Sequence, residues 1–196
     1  MKTFIKSNYF WLLIACICVF SVFMAHVIFQ HLLFMMPCER CVYIRYAFFV
    51  VFLGAILAIF LPKFLKFFAY LLVLYGTIYG ILTSYELIKI KNSIISGDIF
   101  GISGCKLLPN FHFNLPLHEW WNDMFEPKAL CGFDAPEVPM DANLTAFQKF
   151  FVDLYSSGWY LVPQYEFLSL AHCSMIIFIA ILGFLILRII GKLFWK

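Results

Sequence analysis

The chain has 196 residues, of which 64% are hydrophobic and only 13% charged, with 25 phenylalanines. This composition excludes an ordinary soluble domain and leaves room for about four membrane spans of ~20 residues, one modest outer segment and no second domain. A scattered net charge of +3 argues against nucleic acid as a partner. Seven cysteines point to an oxidising compartment.

In chain order, Lys2 and Lys6 precede an apolar run from Tyr9 to Leu33. A signal-peptide core has about 7–15 apolar residues, so this longer run reads as a retained first span. Cys16 and Cys18 lie two apart, point to different faces and read as packing residues. His26, Gln30 and His31 close this span as interfacial residues or as contacts to a ligand headgroup.

Next comes Met36-Pro37-Cys38-Glu39-Arg40-Cys41-Val42-Tyr43-Ile44-Arg45, a CxxC pair at the mouth of a hydrophobic segment. A helix starting near Pro37 puts Cys38, Cys41 and Arg45 on one face at i, i+3 and i+7. An arginine at mid-bilayer costs roughly 2.5–3.5 kcal/mol, so Arg45 should face the protein interior, a headgroup or a polar ligand. One turn away, it would stabilise a Cys41 thiolate, the nucleophilic form of sulfur. The helix dipole favours Cys38 over Cys41, and Glu39 and Arg40 are expected to oppose each other's effect.

The second span, 42–61, ends in the basic turn Pro62 to Lys66. A third span, 67–88, carries Gly76 and Gly80 at a spacing that permits close helix packing, with Glu86 interfacial near its exit. The outer segment, 91–165, starts Gly- and Ser-rich, reaches Cys105, and is aromatic from Pro109 to Cys131, with Trp120 and Trp121 suited to headgroup depth. After a proline-containing loop, Thr145-x-x-Gln148 forms a capping box for an amphipathic helix bearing Phe147, Phe150, Phe151 and Leu154. Asn143-Leu144-Thr145, with Asp141 two residues earlier, matches a glycan acceptor at Asn143. The last span is 168–190, and His172 and Cys173 at its start read as packing.

Residues 1–9, 62–66 and 188–196 hold seven basic residues in 23 positions, against four in 75 for 91–165. The basic side is expected to be cytoplasmic, placing both termini there and both cysteine pairs on the outer face. The fold expected is an all-α integral membrane four-helix bundle with one long periplasmic loop carrying a short amphipathic helix.

Pro37-Cys38-x-x-Cys41-x-Tyr43-x-Arg45, then Cys105, Leu115-Pro116-Leu117-x-x-Trp120 and Cys131, resembles the DsbB family of quinone-coupled thiol oxidases, including its DsbI branch. The resemblance implies two redox disulfides, Cys38–Cys41 and Cys105–Cys131, in the bacterial inner membrane. It implies a membrane quinone beside Arg45, ubiquinone or menaquinone, and a periplasmic DsbA-like thioredoxin-fold partner or a dedicated DsbL-like one. The DsbA–DsbB–quinone relay is an established example of such thiolate–disulfide exchange. It further implies that the partner attacks Cys105, Cys131 then engages Cys38, and Cys41 passes electrons to the quinone. The chain departs from the pattern after Cys131, where about 25 extra residues precede Phe167-Leu168-Ser169-Leu170.

Three other readings are weighed. Static disulfides fit poorly, because a CxxC closes too short a loop to be a useful staple. Zinc held by His112 and His118 with the loop cysteines lacks paired ligand spacing. A vitamin K epoxide reductase-like enzyme also uses a membrane CxxC, but the second cysteine motif favours the oxidase.

Overall fold

The computed structural model describes residues 8–62, 64–97, 105–106, 108–140 and 142–194. Among the described residues, four helices are long and apolar enough to cross a membrane. The first span is α1 (Tyr9–Phe23), continued without a break by a π-helical stretch, Met24–Leu32. The second is α2 (Glu39–Phe60) and the third α3 (Lys66–Ile95). Short α4 (Leu117–Trp120) and α5 (Asn122–Phe125) follow, then α6 (Ala146–Leu154) and a hairpin of β1 (Tyr160–Val162) and β2 (Phe167–Ser169). The last span is α7 (Leu170–Phe194). The expected four-helix membrane bundle is therefore present, with the small antiparallel hairpin as an addition.

The helices pack in sequence, α1 on α2, α2 on α3 and α3 on α7. At the basic end α1 and α7 are joined by Arg188, whose guanidinium lies 4.5 Å from the Phe10 ring centre and 5.0 Å from that of Trp11. Towards the cysteines the two spans leave a gap. Gly76 and Gly80 do serve close packing, but on different neighbours. A Cβ on Gly76 would lie 2.9 Å from Val51 of α2, and one on Gly80 2.5 Å from the ring of Phe178 of α7.

Helix α3 runs about two turns past Ile88, beyond the expected exit. The reason is Lys91, buried rather than solvated, which pairs with Asp134 at 2.8 Å and lies 4.3 Å from the Tyr160 ring centre. That pair ties the segment after Cys131 to the bundle.

Helix α2 also starts later than the sequence suggests. Pro37 precedes the helix because its carbonyl accepts from Lys128 N–H at 2.8 Å and Ala129 N–H at 3.2 Å, leaving Cys38 as an extended N-cap. The predicted capping box at Thr145 and Gln148 is formed. Of its helix's apolar stripe, Phe151 packs with Tyr155 and Trp159 against Phe29, Leu33 and Met35, whereas Phe147 and Phe150 are exposed. Asn143 is exposed, Asp141 lies outside the described residues, and the Thr145 hydroxyl is committed to Gln148.

Phe178 is fully buried and stacks on Phe48 with centroids 4.2 Å apart, so it has little room to yield. Gly80→Ala should therefore destabilise the protein by roughly 1–3 kcal/mol through overpacking. Thermal unfolding in detergent reads this, with Gly183→Ala, whose Cβ meets nothing within 4 Å, as the unaffected control.

Candidate active site

Cys38 sits at the N-terminus of α2 with its sulfur accepting the Cys41 backbone N–H at 3.2 Å. Both are free thiols in this structure, whereas Cys105 and Cys131 are joined by a disulfide. Cys38 and Cys131 are each 2% exposed and belong to one buried cluster, against which Cys41 and Cys105 pack from more open positions. A backbone bridge from Cys38 to Ala129 lays the Cys131 segment alongside. Burial pushes the Cys38 thiol well above the ordinary thiol range, so desolvation outweighs the helix N-terminus that was expected to favour its thiolate.

Glu39 and Arg40 turn to different partners. Successive helical residues face different neighbours. Arg40 pairs with Glu86 of α3 at 2.8 Å, giving that residue a partner beyond its expected interfacial role. Glu39 is buried, and its Oε2 accepts the Lys106 N–H at 2.6 Å, one residue past Cys105. Its Oε1 accepts the Tyr43 hydroxyl at 2.9 Å, and that hydroxyl accepts the Asn110 N–H at 2.8 Å. One carboxylate therefore holds the Cys105 segment against the start of α2. Phe111 and Phe125, packed among Tyr43, Tyr46 and Phe49, hold the remainder of the loop.

Arg45 is buried and donates through Nη1 to Gln30 Oε1 at 2.7 Å and to the Met124 carbonyl at 3.1 Å. Nη2 donates to the Ala25 carbonyl at 2.9 Å, inside the π-helical stretch. Such stretches recur at functional sites. Gln30 in turn donates to the Asp123 carbonyl at 2.8 Å and to its Oδ1 at 3.1 Å. Of the three polar residues at the end of the first span, Gln30 thus supports Arg45, while His26 and His31 approach Asp123.

Arg45 and Cys41 line an apolar cavity of about 290 Å³ in the gap between α1 and α7. Its walls include Phe29, Ile44, Phe48 and Ile177, and Trp159 and Leu161 from the inserted segment. Cys173 lines it as well, which goes beyond the packing role expected, while His172 bonds Ser169 at 2.8 Å. Neither His112 nor His118 joins a loop cysteine in a ligand cluster among the described residues. His112 instead packs edge-on against Tyr79 at 4.9 Å.

The sequence pattern from residue 7 to 188 matches the family described as disulfide bond formation protein DsbB. The chain belongs to the DsbB family. It is 42% identical over 180 residues to the protein-disulfide oxidoreductase DsbI of Salmonella typhimurium, covering 88% of this chain and 80% of that protein. It is 43% identical over 157 residues to the putative protein-disulfide oxidoreductase DsbI of Campylobacter fetus, covering 79% and 73%. The DsbI of Escherichia coli O1:K1 is 40% identical over 180 residues, covering 88% and 81%. The chain is accordingly a multi-pass membrane protein of a disulfide oxidoreductase family.

Two site features had no readable signal in the sequence. Glu39 meets Lys106 across 67 residues, a separation that gives no local pattern. Trp159 stands in a segment that departs from the family pattern, so nothing pointed to the cavity. Glu39→Ala would leave the Lys106 N–H without its acceptor, a loss of about 1–3 kcal/mol. Lower thermal stability and faster proteolysis within 105–110 are the expected readouts.

Proposed function

We propose that this protein is a quinone-dependent disulfide oxidase that reoxidises a DsbA-like dithiol protein at the periplasmic face of the bacterial inner membrane. The observation that carries this reading is that Cys41 and Arg45 share the wall of an apolar cavity, while Cys38 and Cys131 are buried in one cluster and the Cys38–Ala129 bridge lays the Cys131 segment alongside the start of α2. The basic residues at both termini support a cytoplasmic placement of the chain ends.

The accessibility of the sulfurs supports an order of events. Cys105 is the more open member of the loop disulfide, so an incoming partner thiolate attacks there and releases Cys131 as a thiolate. The partner's second thiolate resolves the mixed disulfide, leaving the partner oxidised and Cys105 and Cys131 reduced. Cys131 is buried in the same cluster as Cys38, on a segment bridged to it through Ala129, and its attack on a Cys38–Cys41 bond releases Cys41 as the leaving thiolate. Attack by Cys105 on the resulting Cys131–Cys38 bond restores Cys105–Cys131 and leaves Cys38 and Cys41 reduced.

The cavity suits a quinone, since its walls are apolar and its one buried cation stands beside Cys41. A bound quinone accepts two electrons and two protons. Arg45 would hold an acceptor oxygen and favour the Cys41 thiolate, because three of its five N–H donors are engaged with protein groups among the described residues. Trp159 and Leu161 would exclude water from that end.

Oxidation of a reduced DsbA-like partner, followed by the loss of quinone absorbance, tests the reading. Serine at Cys38, Cys41, Cys105 or Cys131 should abolish turnover, and serine at Cys16, exposed on α1, should preserve most of it. Arg45→Ala should raise the KM for quinone while a single turnover with partner survives, with Trp159→Ala acting in the same direction but less. Unchanged quinone kinetics in both variants would overturn the assignment of the cavity, and full activity without Cys105 would overturn the relay.

A further inference from the structure

A cluster of ligating side chains stands at the cysteine-bearing end of the first span, outside the cavity's working groups. His26 and His31 are five residues apart, a spacing that does not face one way in an α-helix. The wider turn of Met24–Leu32 aligns them, with rings edge-on and centroids 4.7 Å apart. Asp123 of α5 faces both, its Oδ2 lying 2.9 Å from His31 Nε2 and 3.6 Å from His26 Nε2. The three ligand atoms all fall within 4.8 Å of one another. Zinc bonds of about 2.0–2.1 Å at tetrahedral angles require ligand separations of about 3.3–3.4 Å. The two imidazole–carboxylate distances straddle that value, and side-chain rotation that draws the two imidazoles onto a common ion completes the set.

A second shell orients these ligands. Gln30 Oε1 is fixed as the oxygen because Arg45 donates to it, so His26 Nδ1, 3.4 Å away, must carry the hydrogen. That tautomer leaves the lone pair of His26 Nε2 directed at Asp123. Lys128 and the Gln30 amide both donate to Asp123 Oδ1, leaving Oδ2 to the two histidines. His31 and Asp123 are about half exposed, so the site is open to an ion from the aqueous side.

We propose that His26, His31 and Asp123 bind one divalent transition cation of the zinc class, with water completing the coordination. Two imidazoles and one carboxylate suit such an ion, whereas calcium and magnesium take oxygen sets. When bound, the cation clamps α5 to the first span, next to the Met124 carbonyl and Gln30 that hold Arg45.

The test uses the full chain in detergent carrying Cys38→Ser and Cys41→Ser, so that these two thiols do not compete. After chelator treatment it is titrated with Co2+, whose visible d–d absorption reports coordination and whose thiolate charge-transfer band reports cysteine ligands. One equivalent should bind without a thiolate band and be displaced by Zn2+. His31→Ala and Asp123→Asn should abolish the signal, Gln30→Leu should weaken binding about 10–100-fold as the loss of a second-shell partner does, and His118→Ala should change nothing. His31→Ala removes a half-exposed side chain, and an unaltered thermal transition confirms that it folds. Binding that survives His31→Ala, a spectrum dominated by thiolate, or no stoichiometric binding at all would overturn the proposal. The last of these would leave only an ion-paired contact between His31 and Asp123.

Discussion

The buried guanidinium of Arg45 is the constraint on which the rest of this arrangement depends. A charge removed from water is tolerated only when its hydrogen bonds are met inside the protein. Here the acceptors come from three places in the chain: the Ala25 carbonyl and Gln30 side chain of the first span, and the Met124 carbonyl of the loop. Satisfying one cation thus fixes the first span against the second and brings the loop down upon both. It also explains why irregular backbone is tolerated at this depth, since the carbonyl that Arg45 takes lies within the π-helical stretch.

Glu39 plays the complementary part for the loop disulfide. It is an anion at the first turn of α2, where the helix dipole favours it, and it accepts from the backbone beside Cys105. With the Pro37 carbonyl gripping residues 128 and 129, the two ends of the loop disulfide are held from one short stretch of α2's entrance. The residues flanking the CxxC cysteines therefore position the other pair. Deformation of this stretch would disturb both pairs together.

Much of the architecture was legible from hydropathy alone, because a span must be apolar over a length set by the bilayer. The helix bounds that shifted did so through distant contacts. Helix α3 runs on because Asp134, 43 residues away, neutralises Lys91, and α2 starts late because the Pro37 carbonyl is claimed by the loop. The CxxC and Arg45 were legible because cysteine and arginine are conspicuous in an apolar run. Their supports were not. Glu39 meets Lys106 across 67 residues and Gln30 meets Asp123 across 93, separations that leave no periodicity to read. The insertion was visible only as an interruption, and its use in walling the cavity depends on how the hairpin folds back over α7.

The first and last spans are clasped at Arg188, and at the cysteine-bearing end an apolar cavity lies between them. In a bilayer, an opening between two spanning helices faces acyl chains rather than water. Whatever occupies the cavity arrives sideways, so its supply is governed by its mole fraction among the lipids and not by its concentration in the surrounding solution. A second apolar hollow between the same two spans, about 380 Å³ and lined by Leu13, Ile17, Ile177 and Phe184, extends from it towards the clasp. A ligand with a polar ring and a long hydrocarbon chain would lie along this seam with its chain still partly in the bilayer, leaving the fold no need to enclose it.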